Sequence, residues 1–348
     1  MLSKMFGIIF ICLISYSCAN LPIFKENTSI KNTSSLVLTG YDRNSYTKGN
    51  VEVYLNELKL LNANTATFLY SCQTKNLQSS NIDCSSSYTP SLESLEMAIT
   101  AAKRQGFQVS VRHYIDIETK EWRCHWNPKD KKSTFTNIKR ELVEFSQFLE
   151  EYKVESFTIG AEYCQLTTSS SKEHWQTIIS SIRENFKGTI NYGANWETIK
   201  GQNEFFQTPI WEFLDNIGLD YYSPIPDSVK SSHIYHYQKQ KLLKFSNFAK
   251  RLKKPLFINE VGFAGSSKGT LEPYEWRNLT PGKERRQANA YRETLQAIKS
   301  FDNIQGIFIW RKLAQNKNQM NLYGPRETGY ALWKRKAWYE IQRFFKVY

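Results

Sequence analysis

Short apolar runs, rich in β-branched and aromatic residues, alternate along most of the chain with stretches whose apolar positions recur at helical spacing. The apolar runs predict eight strands, over residues 35–40, 66–71, 107–114, 156–161, 189–193, 217–221, 255–260 and 305–310. The periodic stretches predict helices over residues 51–61, 91–105, 138–152, 173–186, 238–253, 284–300 and 333–345. One face of the second helix carries Leu92, Leu95, Ala98, Ile99 and Ala102.

The order of these elements predicts the fold. Strands that alternate with helices pair in parallel through right-handed crossovers. Eight such units within 348 residues favour one closed (β/α)8 barrel, a TIM barrel of the α/β class, over residues 36–348. A doubly wound open sheet is the alternative, but the turn Gly40-Tyr41-Asp42-Arg43 lacks the glycine spacing of a phosphate-binding turn.

The N-terminus has the pattern of an export signal over residues 1–19, in which Lys4 precedes an apolar run over residues 6–14. Two processing routes remain open, namely cleavage after Ala19 and lipidation of Cys18. We therefore expect an exported protein, either secreted or lipid-anchored at the cell surface or in the periplasm, with membrane attachment through Cys18 in the second case. The polar residues 20–35 predict a flexible tether.

Four cysteines remain beyond the signal, and an exported protein permits disulfides between them. Cys72 and Cys84 are close enough in sequence to bridge one loop, but free thiols are equally allowed. Cys164 follows Glu162 by two residues without a histidine placed to activate it, so we expect a packed thiol.

Charge and histidine content narrow the function classes. The net charge is +13, but the basic residues are scattered, so nucleic-acid binding is not predicted. His233 and His236 could share a helical face without an evident third ligand, so no metal site is predicted. The aromatic share of 14% is high and suits either a core or a sugar groove.

The strongest chemical signal is a pair of glutamates at strand ends. Glu162 ends the fourth predicted strand and Glu260 the seventh, and active sites of (β/α)8 barrels lie at that end of the strands. Either glutamate alone could simply pair with a cation. Two together suit retaining glycoside hydrolysis, which needs carboxyl groups about 5–5.5 Å apart.

An ordered set of motifs then resembles glycoside hydrolase family 113, from about residue 89 to residue 345. The matching stretches are Thr89-Pro90-Ser91, Glu121-Trp122-Arg123, Ile159-Gly160-Ala161-Glu162, Tyr192-Gly193-Ala194-Asn195-Trp196, Leu214-Asp215-Asn216-Ile217-Gly218-Leu219-Asp220-Tyr221-Tyr222, Asn259-Glu260-Val261-Gly262-Phe263 and Gln305-Gly306-Ile307-Phe308-Ile309-Trp310. The resemblance implies a barrel enzyme without a cofactor, an endo-acting β-mannanase or a related β-mannosidase. It implies that Glu162 is the acid/base and Glu260 the nucleophile.

The resemblance also implies a set of groups that bind the sugar. Tyr222 would place a hydroxyl near the nucleophile, and Trp310 would lie under the sugar at the cleavage point. The remaining expected substrate-binding residues are Arg112, Asp116, Trp122, Arg123, Asn195, Trp196 and Asp220. The expected partner is a β-linked oligo- or polysaccharide, and we expect a monomer.

Three positions depart from the family pattern. Arg112 and Tyr114 stand where the family usually has lysine and histidine, and Lys312 stands where a second aromatic residue is expected. We expect these departures to change the surroundings that select the sugar. The alternatives are therefore a retaining β-glycosidase that acts on another β-glycan, and a non-catalytic surface lipoprotein that binds glycan.

Overall fold

Eight parallel strands close into a barrel in this computed structural model, which describes residues 32–199, 201–275, 280–314 and 329–348. Each strand pairs with its neighbours in the sequence, and the eighth pairs with the first. The barrel strands are β1 (Thr33–Thr39), β2 (Thr65–Thr74), β3 (Gln108–Ile117), β4 (Ser156–Ala161), β5 (Thr189–Asn195), β6 (Ile217–Tyr221), β7 (Leu256–Val261) and β8 (Ile304–Leu313). The predicted single-domain (β/α)8 barrel is confirmed.

Helices follow the strands and surround the barrel. They are α1 (Lys48–Leu61), α2 (Leu92–Arg104), α3 (Lys131–Glu151), α4 (Lys172–Asn185), the single turn α5 (Glu204–Gln207), α6 (Ile234–Arg251), α7 (Glu284–Lys299) and α8 (Lys336–Phe345). A two-stranded hairpin, Thr198–Ile199 with Gln202–Asn203, lies between β5 and α5.

Local sequence signals explain where the helices begin and end. The Ser91 side chain accepts a hydrogen bond from Ser94 N–H at 3.2 Å and caps α2, and Gly106 follows the helix with a φ of 82°. The apolar face of α2 is buried as expected, except that Leu92 at its first turn is 40% exposed. Helix α3 begins seven residues earlier than predicted, because Asp130 caps a polar first turn by accepting from Ser133 N–H at 2.9 Å.

Most of the strands extend beyond their predicted bounds, and three of these extensions bear on earlier predictions. β1 begins at Thr33, which pairs with Gly306, so residues 33–35 belong to the barrel and not to the flexible tether. β3 continues to Ile117 and β8 to Leu313, which places Asp116 and Lys312 inside strands. The predicted export signal with Cys18, and the tether up to residue 31, lie outside the described residues. Within the described ranges, no helix combines the length and apolar character needed to cross a bilayer.

The barrel interior is partly polar, and a glycine makes room for it. Asp220 on β6 is fully buried, and a Cβ at Gly193 on the adjacent β5 would lie 2.8 Å from both of its carboxyl oxygens. Any larger residue at position 193 would therefore displace this carboxyl group. Thus the strand sequence places a buried acid directly beneath the mouth of the barrel.

Candidate active site

Glu162 follows the last residue of β4 and has an unusual backbone conformation. Its φ is 56°, in the left-handed region that non-glycine residues rarely adopt. Its N–H donates to the carbonyl of Gly193 at 2.8 Å, and the N–H of Tyr163 donates to the hydroxyl of Tyr192 at 2.6 Å. These bonds to β5 hold the backbone at the end of the strand in this conformation. The Glu162 residue is 8% exposed there.

Two hydrogen-bond donors and a guanidinium hold the Glu162 carboxylate. Asn195 Nδ2 donates to Oε1 at 2.6 Å, and Trp122 Nε1 donates to Oε2 at 2.8 Å. Arg123 Nη2 lies 3.6 Å from the same Oε2. The two segments predicted to line the groove, one after β3 and one at the end of β5, therefore meet at this carboxylate.

Arg123 links this group to its surroundings. Its Nη1 donates to Asp116 Oδ1 at 2.6 Å, its Nε donates to the Ala161 carbonyl at 3.0 Å, and its Cζ lies 4.5 Å from the centre of the Tyr114 ring. Asp116 also accepts a hydrogen bond from Ser71 Oγ at 2.6 Å. Asp116 and Arg123 are thus paired with each other, and both remain partly exposed at the barrel mouth.

Glu260, the fifth residue of β7, is held by two phenols and a guanidinium. Tyr114 OH donates to Oε1 and Tyr222 OH to Oε2, each at 2.6 Å, and Arg112 Nη1 lies 3.7 Å from Oε1. Burial raises the pKa of Glu260, and the positive charges of Arg112 and Arg123 oppose that shift. The Glu162 carboxylate raises it further, so the two acids influence each other electrostatically.

The two phenols remain proton donors. Burial, followed by the charge of Glu260, raises the pKa of Tyr114 and of Tyr222 well above the ordinary value. Each hydroxyl therefore keeps its proton and stabilises the ionised form of Glu260. The hydroxyl that the resemblance implied for Tyr222 is in place, and Tyr114 supplies a second one that the sequence had marked only as a departure.

Arg112 and Asp220 lie below the site and do not face the groove. Both are fully buried, and the Arg112 guanidinium stacks over Phe308 with Cζ 4.6 Å from the ring centre. Burial, followed by the charges of Glu260 and Glu162, holds the pKa of Asp220 well above its usual range. Their contact with substrate stays a prediction, which their full burial disfavours.

Aromatic side chains form the wall and floor around the carboxylates. Trp122, Trp196 and Trp310, all predicted to contact sugar, are partly exposed. Trp310 packs against the apolar cluster that contains Tyr114 and against the one that contains Tyr222, and these two phenols are the donors to Glu260. Sugar contact by these rings stays a prediction that the placement favours.

Lys312 points away from this site. Its Nζ lies 2.7 Å from Glu57 Oε1 on α1, outside the barrel. The expectation that Lys312 alters the sugar-binding surroundings is therefore wrong. In a regular strand Trp310 and Lys312 would face the same side, but the register shifts between Ile309 and Lys312, and Lys312 contacts α1 outside the barrel.

Glu204 is a further buried acid, and the sequence did not indicate it. Its carboxylate accepts from Tyr192 OH at 2.6 Å, Thr167 Oγ1 at 2.8 Å and Asn195 N–H at 2.8 Å. Burial raises the pKa of Glu204 to about 7. Glu204 thus connects Thr167, in the segment after β4, to Asn195, one of the donors to Glu162. The sequence did not indicate Glu204, because α5 is a single turn and too short to show a helical pattern of apolar residues.

The described residues contain two disulfides, Cys72–Cys84 and Cys124–Cys164. The expectation of a packed thiol at Cys164 is therefore wrong. His113 Nε2 lies 3.3 Å from Cys72 Sγ, and Glu141 lies close by, but this group is not a set of metal ligands while the two sulfurs are bonded to each other.

Comparison with known proteins agrees with this geometry. A sequence model described as Glycoside Hydrolase Family 113 matches residues 39–335. Among curated proteins, no sequence matches the chain significantly. A solved β-1,4-mannanase of family 113 superposes with a TM-score of 0.79 at 17% identity, covering 91% of this chain and 100% of the other.

Two further structures show the breadth of the fold. The β-mannanase from Alicyclobacillus acidocaldarius in complex with ManMIm gives a TM-score of 0.78 at 16% identity, with coverage of 91% and 98%. A β-glucuronidase from an uncultured Clostridium gives 0.60 at 17% identity, with coverage of 91% and 50%. These identities establish the fold alone, whereas the family model covers most of the chain. The chain belongs to glycoside hydrolase family 113 and is a glycoside hydrolase.

Proposed function

We propose that this enzyme hydrolyses β-1,4-linked mannan or glucomannan with retention of anomeric configuration. The observation that carries the proposal is the pair of carboxylates at the barrel mouth, each with its own set of donors. Glu260 faces two phenols and a guanidinium, and Glu162 faces an indole and an amide. The mannan substrate rests on the family match and on the β-mannanases that share the fold.

The partners of each acid suggest its role. Glu260, whose ionised form is stabilised by Arg112 and by the phenols of Tyr114 and Tyr222, attacks the anomeric carbon. Glu162 protonates the glycosidic oxygen and then removes a proton from the incoming water, while Asn195 and Trp122 fix its carboxylate.

The strongest alternative is the same chemistry on another β-glycan. It is favoured by Tyr114, which places a phenol on Glu260 where the family usually has histidine. A non-catalytic glycan-binding protein is disfavoured, because a silent site has no need for two buried carboxylates, each with paired donors.

A substrate screen tests the proposal. The domain from residue 32 onward would be assayed on mannan, glucomannan, xylan, cellulose and chitin oligosaccharides, and the anomer released first would be identified by NMR. Glu162→Gln and Glu260→Gln should each abolish activity on the preferred glycan. Glu212→Gln, a surface carboxylate paired with Lys172, is the matched control. Activity that survives Glu260→Gln, or an inverted first product, would refute the mechanism.

We also propose that the protein is exported. The two disulfides support an oxidising compartment. Mass spectrometry of the mature N-terminus separates cleavage after Ala19 from lipidation of Cys18, and Cys18→Ser should release the protein from membranes only in the second case. An unprocessed N-terminus would contradict export through this signal.

A further inference from the structure

The Cys124–Cys164 disulfide joins the two segments that meet at Glu162. Cys124 directly follows Trp122 and Arg123, whose side chains contact the Glu162 carboxylate. Cys164 lies two residues after Glu162, and its sulfur is 3.7 Å from the Glu162 carbonyl oxygen. The disulfide therefore connects Trp122 and Arg123 to the acid by a covalent path that is separate from the chain between the two cysteines, which are 40 positions apart in the sequence.

Both segments have backbone conformations that a covalent link would stabilise. The left-handed backbone at Glu162 costs about 1–2 kcal/mol in a non-glycine residue and persists only where the surroundings impose it. Trp122 and Arg123 lie in the irregular segment between β3 and α3, which has a single 3-10 turn, Arg123–His125. Trp126 fixes the far side of that segment by donating to the Ser79 carbonyl at 2.9 Å. The disulfide fixes the side that faces Glu162.

We propose that the Cys124–Cys164 disulfide positions Glu162 for acid/base catalysis by holding Trp122 and Arg123 against its carboxylate. The inference rests on the proposed retaining function. Reduction separates the two segments: a dithiol such as dithiothreitol gives two electrons and two protons, the cysteines become two thiols, and the reagent closes to its cyclic disulfide. A cavity of about 460 Å³ lined by both cysteines gives the reagent access.

The second disulfide is a matched control. Cys72 on β2 is fully buried beside His113, and neither Cys72 nor Cys84 contacts Glu162 or its donors. Loss of the Cys72–Cys84 bond therefore measures the general effect of removing a disulfide. Any effect confined to Cys124–Cys164 reflects its position.

The test compares two substrates within one preparation. One is a β-1,4-linked oligosaccharide of the preferred sugar, whose leaving group must be protonated by Glu162. The other is the 2,4-dinitrophenyl glycoside of that sugar, whose leaving group departs without a proton. The ratio of the two kcat/KM values reports acid catalysis in the first step, and the fraction of folded enzyme cancels from it.

A selective loss is expected. Cys124→Ser/Cys164→Ser should lower kcat/KM for the oligosaccharide by about 10- to 100-fold, because a displaced general acid loses much of its contribution. The dinitrophenyl glycoside should lose less than about threefold, since its glycosylation step needs no acid. Cys72→Ser/Cys84→Ser should leave the ratio unchanged.

Equal losses on both substrates, or no loss, would overturn the inference. If the double variant does not fold, Cys72→Ser/Cys84→Ser, which keeps the Cys124–Cys164 bond, is assayed before and after reduction, and an unchanged ratio there overturns the inference as well. A wild type inactive on both substrates contradicts the proposed function, whereas an active wild type whose ratio survives loss of the disulfide overturns this inference alone.

Discussion

Glu204 makes the stability of this enzyme depend on pH in a direction opposite to that of most acids. Burial raises its pKa to about 7 in the folded chain, from an ordinary 4.5, in spite of three hydrogen bonds that favour the charged form. Between these two values the folded state keeps a proton that the unfolded state has released. Stability therefore falls as the pH rises from about 4.5 through 7, and the full penalty is present above that window.

The size of the effect follows from the shift. A difference of about 2.5 pKa units corresponds to about 3 kcal/mol of unfolding free energy. The range from pH 5 to pH 8 leaves out the parts of the titration below pH 5 and above pH 8. About 2–3 kcal/mol of the change in unfolding free energy is therefore observable within it.

Urea unfolding of wild type and Glu204→Gln at pH 5 and pH 8 measures this contribution. The glutamine loses hydrogen bonds to Tyr192, Thr167 or Asn195, but that loss is the same at both pH values and cancels from the comparison. Other buried acids titrate in both proteins and cancel as well. Wild type should lose about 2–3 kcal/mol more than the variant between the two pH values.

Parallel losses in the two proteins would refute the reasoning, because they would show that Glu204 is ionised throughout the range. Glu212→Gln is the control, since Glu212 is a surface residue whose replacement should leave the pH dependence of stability unchanged.

Three further predictions concern two residues near Glu260 and the ion pair of Lys312 outside the barrel. Tyr222→Phe should lower kcat/KM by about tenfold or more, since a hydrogen bond to a charged group is worth about 1.5–3 kcal/mol, and should move the acidic limb of the pH–rate profile upward as Glu260 loses a donor. Asp220→Asn should retain most of the activity, because burial raises the pKa of Asp220 and so favours its neutral form; a large loss would show that its negative charge is needed. Lys312→Met should leave kcat/KM unchanged but lower the unfolding free energy by about 1–3 kcal/mol in urea titrations, since it leaves the buried Glu57 without its cation; reduced activity at unchanged stability would contradict the outward placement.

The barrel and its acid pair were predictable because both depend on local patterns. The apolar runs before Glu162 and Glu260 each end at the carboxylate, and strand ends define one face of the barrel. Glu204 was not predictable, because its significance comes from contacts with residues up to 37 positions away and its own helix is one turn long. The pairing of Cys124 with Cys164 was not predictable for the same reason, since it requires the loop after β3 to fold back onto the end of β4.

Two of the departures from the family pattern lie beside the carboxylate of Glu260, whereas the exposed aromatic residues are available for contact with a sugar. Arg112 and Tyr114 are 0% and 1% exposed and contact Glu260 from within the barrel, so their replacement of lysine and histidine changes the groups that stabilise the ionised form of Glu260. Neither side chain reaches the open groove. Trp122, Trp196 and Trp310 do remain partly exposed around the two acids. Since exposed groups can contact a hydroxyl or a ring face directly, we expect these loop and strand-end residues to contribute to selection of the glycan alongside the altered surroundings of Glu260.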